Sequence, residues 1–113
     1  MKLTFVELPA FDRVRAQYFD DDGFAGLQSV LLAKPDAGVL IAGTGGLRKL
    51  RHADPRRGKG KRGGLRVIYY WWMGGDQILL FTVYDKNEAD DLSPKERRAL
   101  KVFLDIELKV RTS

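Results

Sequence analysis

Leu3, Phe5 and Val6 alternate weakly within Lys2 to Glu7, which predicts a short strand ended by Pro9. Phe11, Val14 and Tyr18 then recur at i, i+3 and i+7 with Asp12, Arg13 and Arg15 between them, the pattern of an amphipathic helix. Asp20-Asp21-Asp22-Gly23 follows, and its last aspartate is placed to cap a second helix. Phe24, Leu27, Val30 and Leu31 would form the buried face of that helix, and Pro35 would stop it. The two helices read as a hairpin.

Ala37 to Gly46 is turn-rich, with Gly38, Gly43, Gly45 and Gly46 around Val39-Leu40-Ile41. A strand from Leu47 to about His52 puts Arg48 and Leu50 on one face and Lys49 and Arg51 on the other. Ala53 to Gly64 holds Pro55 and four glycines and reads as a loop. A third strand, Leu65 to Met73, turns at Gly74-Gly75 into a fourth, Gln77 to Tyr84. Arg66 shares a face with Ile68, Tyr70 and Trp72, and Tyr84 with Thr82, Leu80 and, if the strand continues, Lys86. Strand neighbours point opposite ways, so at least two of Tyr69, Tyr70, Trp71 and Trp72 belong to the core.

The last element carries the strongest local signal. Ser93-Pro94-Lys95-Glu96 combines an N-cap serine, a first-turn proline and a glutamate three residues on, which is a capping box. Leu100, Phe103, Leu104 and Leu108 follow at helical spacing, and Val102, Ile106 and Val110 widen the apolar stripe. So wide a stripe packs on a sheet or joins a partner interface. The whole pattern is α+β, a small antiparallel sheet with an N-terminal strand and helical hairpin, three further strands and a C-terminal helix. At 113 residues, one domain over 1–113 is expected.

Composition narrows the chemistry. The chain has no cysteine and one histidine, His52, which removes disulfides, thiolate nucleophiles and Cys- or His-based metal clusters. No apolar run approaches the roughly 20 residues of a membrane span. Met1 to Glu7 is too short and too soon charged for a secretory signal. A cytoplasmic protein with no membrane partner is expected.

Charge is local. Between Arg48 and Arg66 lie nine of the 20 Lys and Arg residues and one acid, Asp54. That window carries +8 while the chain as a whole carries +5, so the remainder is net acidic. Concentrated positive charge of this kind meets a polyanion. Arg and Lys neutralise phosphates, glycines let backbone approach them, and exposed aromatics stack on bases. Gly58-Lys59-Gly60-Lys61-Arg62-Gly63 matches G-x-G-x-x-G by letter, but a strand follows it where a dinucleotide site requires a helix. A Walker-type loop fails as well, because neither Gly58-Lys59 nor Gly60-Lys61 is followed by Ser or Thr.

Three blocks carry a resemblance. They are Gly43-Thr-Gly-Gly-Leu-Arg-Lys-Leu-Arg51, Gly58-Lys-Gly-Lys-Arg-Gly-Gly-Leu-Arg-Val-Ile-Tyr-Tyr70 and Tyr84-Asp-Lys-Asn-Glu-Ala-Asp-Asp-Leu92. In order and spacing they are similar to the RelE/ParE superfamily of type II toxins, on its RelE and HigB-type branch. The resemblance implies an endoribonuclease that cuts messenger RNA on the translating ribosome, uses no metal or other cofactor, and is held inactive by an antitoxin. The antitoxin implied is a small helix-turn-helix protein, with the toxin alone monomeric and the complex of higher order. Carried over position by position, the implied catalytic residues are Lys49, Arg51, Arg66, Tyr84 and Lys86. Arg48, Arg56, Arg57, Lys59, Lys61 and Arg62 are left to contact RNA and ribosome.

The chemistry is intelligible in those residues. Attack by the RNA's own 2′-hydroxyl needs that oxygen deprotonated, charge on the phosphate stabilised and a proton given to the leaving 5′-oxygen. Arg66 suits the charge role because its fork stays cationic. Lysines move protons where neighbouring cations make the ammonium form costly, and Lys49 and Lys86 are candidates on that condition. Tyr84 can position or stack a base. Some relatives carry a basic residue where this chain has Asn87, and some use a His or Asp in the site. Alternation turns His52 away from Lys49 and Arg51, which makes it structural. The competing readings are a ParE-like toxin that binds DNA gyrase and a non-catalytic RNA-binding relative. The Lys/Arg set on one sheet face favours the ribonuclease.

Overall fold

The stretch Lys2 to Glu7 does hold a strand, β1 (Thr4–Glu7), and it runs straight into α1 (Pro9–Tyr18), where Pro9 takes the first helical turn that its missing N–H suits. Helix α2 (Asp21–Ala33) follows after two residues. Its cap is Asp20, the first of the three aspartates and not the last: Asp20 Oδ1 accepts from the Gly23 N–H at 2.7 Å. Asp21 and Asp22 therefore lie inside the first turn, where the helix dipole favours carboxylates. Phe24, Leu27 and Leu31 are buried as expected, whereas Val30 is 39% exposed at the margin of that stripe. The hairpin is closed by Phe11, Phe19 and Phe24, whose ring centroids lie 6.0 to 6.5 Å apart. Arg15 stitches it to the sheet, pairing with Glu7 at 3.0 Å while its guanidinium lies 3.8 Å over the Phe24 ring.

In this computed structural model, which describes residues 2–54, 64–87 and 91–112, the sheet has five strands in the order β1-β5-β4-β3-β2. The others are β2 (Val39–Leu40), β3 (Arg48–His52), β4 (Leu65–Trp72) and β5 (Gln77–Asp85). Every pairing from β2 to β5 is antiparallel, and β1 adds to the β5 edge in parallel. The two-residue β2, inside the stretch read as turn, is the strand that sequence periodicity could not show. The turn between β4 and β5 is a short 3₁₀ segment, Met73–Gly75, and its left-handed residue is Asp76 (φ 51°) and not a glycine.

Helix α3 (Pro94–Thr112) opens with the expected capping box: the Ser93 N–H donates to Glu96 Oε1 at 2.8 Å and the Glu96 N–H to Ser93 Oγ at 3.1 Å. The sheet thus separates two cores. On one face Leu50, Leu65, Val67, Tyr69, Ile78, Leu80 and Val83 pack on α1 and α2. On the other, Leu47, Ile68, Leu79 and Phe81 cluster with Leu92 and with Leu104 of α3. Leu104 is the buried residue of α3, while Val102, Phe103, Ile106 and Val110 remain 53% to 68% exposed. Beside them an open groove of about 560 Å³ runs between α3, β5 and the start of α1. Among the described residues no helix is long and apolar enough to cross a membrane.

Tyr69 ties the segment after α2 to the sheet. Its ring is fully buried, and its hydroxyl donates to the Pro35 carbonyl at 2.7 Å and accepts from the Gly38 N–H at 2.8 Å. The segment after α2 is so close that a Cβ on Gly38 would stand 2.8 Å from the Tyr69 ring. Of the four aromatics, Tyr69 is fully core, and Tyr70 and Trp71 pack partly buried against the two clusters.

Candidate nucleic-acid interface

The glycines before β3 are architectural. Gly43, Gly45 and Gly46 have φ of 77°, 80° and 122°, a left-handed region open to glycine at little cost. Thr44, fully buried between them, donates through Oγ1 to the Ile41 carbonyl at 2.7 Å and accepts from the Leu47 N–H at 3.2 Å. This turn sets the register in which β3 enters the sheet, and therefore which way its cations point.

Register then assembles the site. Arg51 pairs directly with Arg66, and Arg66 directly with Tyr84, so one row crosses β3, β4 and β5. The next row on the same face is Lys49, Ile68 and Thr82. Adjacent strands lie about 4.8 Å apart, so two guanidinium-bearing positions stand opposite each other with no strand between them. Like charges directly opposed across a ladder disfavour each other, and an anion between them relieves that cost. The row sits at the end of the sheet where β3 finishes and β4 begins, since His52 pairs with Leu65.

A bulge corrects one expectation. The register shifts between Ile68 and Tyr69, where Phe81 is the unpaired residue of β5. Tyr84 and Thr82 therefore share their face with Phe81 and Leu79, while Leu80 turns to the helical-hairpin core. One inserted residue reverses all side chains beyond it.

Each expected residue that the structure describes has a definite place. Arg66 is half-buried and its Nη1 donates to the Leu65 carbonyl at 3.2 Å. Arg51 is exposed. Lys49 Nζ lies 3.2 Å from Asp91 Oδ1, and the second oxygen of Asp91 lies 3.4 Å from Arg97 Nη2 in the first turn of α3. A backbone N–H from Leu92 and then Lys49 hold the Asp91 carboxyl below its ordinary range. Lys86 lies one residue past β5, its side chain exposed and its N–H donating to the Gly64 carbonyl at 2.9 Å. Arg48 is not brought to the others. It lies on the opposite face, where its guanidinium donates to the carbonyls of Gly38 at 2.8 Å and Asp36 at 3.4 Å. Arg56, Arg57, Lys59, Lys61 and Arg62 lie outside the described residues.

Tyr84 stands apart in its chemistry. Burial, followed by the charge of Asp91, raises its pKa, with Arg66 partly offsetting them and Glu96 adding a smaller push. The phenol therefore stays protonated at neutral pH, with its O–H available to donate. Its Oη is buried with no hydrogen-bond partner among the described residues. A buried hydroxyl beside Arg66 with nothing to bond among the described residues is open to an outside acceptor. His52, by contrast, faces the hairpin, its ring 5.9 Å from Phe19.

Asp91 and Arg97 were missing from the sequence reading. Arg97 is 48 positions from Lys49 along the chain and sits in an otherwise ordinary helix start, so the sequence carried no signal for it.

No protein-family model matches the sequence. Among solved structures the chain resembles E. coli toxin RelE, determined in the free state as a mutant with two arginines replaced by alanine. The TM-score is 0.51 at 14% sequence identity, over 80% of this chain and 90% of that one. With a mixed sheet, a helical hairpin on one face and a C-terminal helix on the other, the chain has the RelE-like α+β fold.

Proposed function

We propose that this protein is the toxin of a type II toxin–antitoxin system, of the HigB type, and an endoribonuclease that cuts messenger RNA on the translating ribosome. The observation that carries the reading is the row Arg51–Arg66–Tyr84, with Lys49 beside it, on one face of the sheet. The 2′-oxygen attacks its neighbouring phosphorus as its proton leaves. The bond to the 5′-oxygen breaks, giving a 2′,3′-cyclic phosphate and a 5′-hydroxyl. Arg51 and Arg66 hold the charge that grows on the phosphate. Tyr84 Oη donates a hydrogen bond at the same centre. Lys49 and Lys86 flank it as further cations and as the candidates for proton transfer.

The ribosome supplies what so small a site lacks, substrate held in register, an effect worth several kcal/mol. The exposed apolar side chains of α3 and the groove beside them support a cognate antitoxin, a small helix-turn-helix protein, as the partner that covers this face. Primer extension on messages from cells expressing wild type and Arg66→Ala tests the assignment. Wild type should leave discrete breaks within translated frames, and Arg66→Ala should lose about 10²-fold or more in single-turnover rate. A cooperatively melting Arg66→Ala protein that still arrests growth rejects it. Equal cutting of untranslated copies rejects the ribosomal step.

A further inference from the structure

The contact among Lys49, Asp91 and Arg97 joins three parts of the chain. Lys49 comes from β3, Asp91 from the approach to α3, and Arg97 from the first turn of α3. One anionic group presents one oxygen to each cation, at 3.2 Å and 3.4 Å. A phosphodiester, with two non-bridging oxygens on one centre, can present the same pair. The carboxylate is also an incomplete match. It meets Arg97 through Nη2 alone, and Arg97 Nε is buried without a hydrogen-bond partner among the described residues. A guanidinium takes an oxyanion best through two parallel N–H donors, and Asp91, whose Oδ1 is already shared by Lys49 Nζ and the Leu92 N–H, leaves Arg97 a single contact. Tyr84 Oη, on the same face and equally unpartnered, gives the arriving group a further donor. The Asp91 contact is weak enough to exchange, since the Asp91 side chain is 49% exposed and ion pairs of this exposure are screened by water.

We propose that Lys49 and Arg97 form a clamp for a phosphate of single-stranded RNA, which the Asp91 carboxylate occupies in the free protein and the phosphate displaces. The clamp deepens the ribonuclease reading and rests on it. It adds Arg97 as a phosphate-binding residue and makes Asp91 an internal competitor that lowers affinity for RNA not held in place by other contacts.

Binding of a fluorescein-labelled 2′-O-methyl RNA hexamer, which cannot be cut, tests this by anisotropy. Asp91→Asn should tighten binding about two- to fivefold, the range an exposed ion pair supports. Asp105→Asn removes the same charge from an exposed carboxylate paired to Lys101 on α3, and should change affinity less. Arg97→Ala should weaken binding about tenfold, the worth of a charge-assisted hydrogen bond, and should shrink the gain from Asp91→Asn when the two are combined. If Arg97→Ala does not fold, Arg97→Lys keeps the charge without the fork and serves the same comparison. No gain from Asp91→Asn, a gain matched by Asp105→Asn, or a gain undiminished in the double variant overturns the clamp. An uncleavable probe separates the two readings: the binding pattern without cleavage on ribosomes sinks the reaction, and cleavage without an Asp91 effect sinks the clamp alone.

Discussion

Two tyrosines, fifteen positions apart on neighbouring strands, differ in what their hydroxyls bond. Tyr69 spends its hydroxyl on the protein, bridging the Pro35 carbonyl and the Gly38 N–H. Tyr84 leaves its hydroxyl buried and unspent beside Arg66. Removing each oxygen should therefore have opposite consequences. Tyr69→Phe leaves a buried acceptor and a buried donor without partners and should cost about 1–3 kcal/mol of stability by denaturant melts. Its cleavage rate per folded molecule should stay near wild type. Tyr84→Phe removes a group with nothing to lose, so stability should move by no more than about 0.5 kcal/mol. Its single-turnover cleavage should fall by about 10²-fold, the loss of one donor at the reacting centre. If Tyr84→Phe destabilises as much as Tyr69→Phe, its hydroxyl is a structural group and the donor role is wrong. The sequence alone could not sort these two residues, because burial and hydrogen bonding depend on which segments meet.

What could be read in advance follows the distance over which each element is decided. The capping box at Ser93 and Glu96 is made within one turn of chain, and it formed as read. Lys49 and Arg51 on one face follow from alternation along a single strand. The opposition of Arg51 and Arg66 needed a register between strands, and the resemblance to toxin motifs, not periodicity, singled those residues out. β2, the bulge at Phe81 and the cap at Asp20 were hidden, since each is chosen by pairing or helix phase and not by composition. Arg48 belongs to the same basic window, and, as alternation along the strand predicts, its position turns it to the other face. At this scale α3 is the element to perturb, since its first turn carries Arg97. Ser93→Ala removes one half of the box and should cost about 1 kcal/mol. Because it also loosens the turn that holds Arg97, it should weaken RNA-hexamer binding, whereas Thr112→Ala at the far end of the helix should leave binding unchanged. Equal binding by both variants would show that the start of α3 plays no part in positioning the clamp.

Taken whole, the molecule is a sheet with the proposed site on the α3 face and the helical hairpin on the other, and His52 lies on the hairpin side. Its ring packs near Phe19, and burial lowers its pKa below the ordinary value of about 6.5. The consequence for stability has a definite sign. Above that value His52 is neutral in folded and unfolded chains alike and contributes no pH dependence. As pH falls through about 6.5 the unfolded chain takes up a proton that the folded protein resists, so stability declines. The decline stops once pH is below the depressed folded pKa, where both states are protonated. Urea melts of wild type between pH 7.5 and 5.2 should therefore show stability falling toward acid, and His52→Gln should flatten the curve. Cleavage by the folded His52→Gln protein should keep the wild-type pH profile, because the ring faces away from Lys49, Arg51 and Arg66. A pH profile of cleavage that shifts in His52→Gln while the melts keep their slope would place the histidine in the chemistry and not behind it.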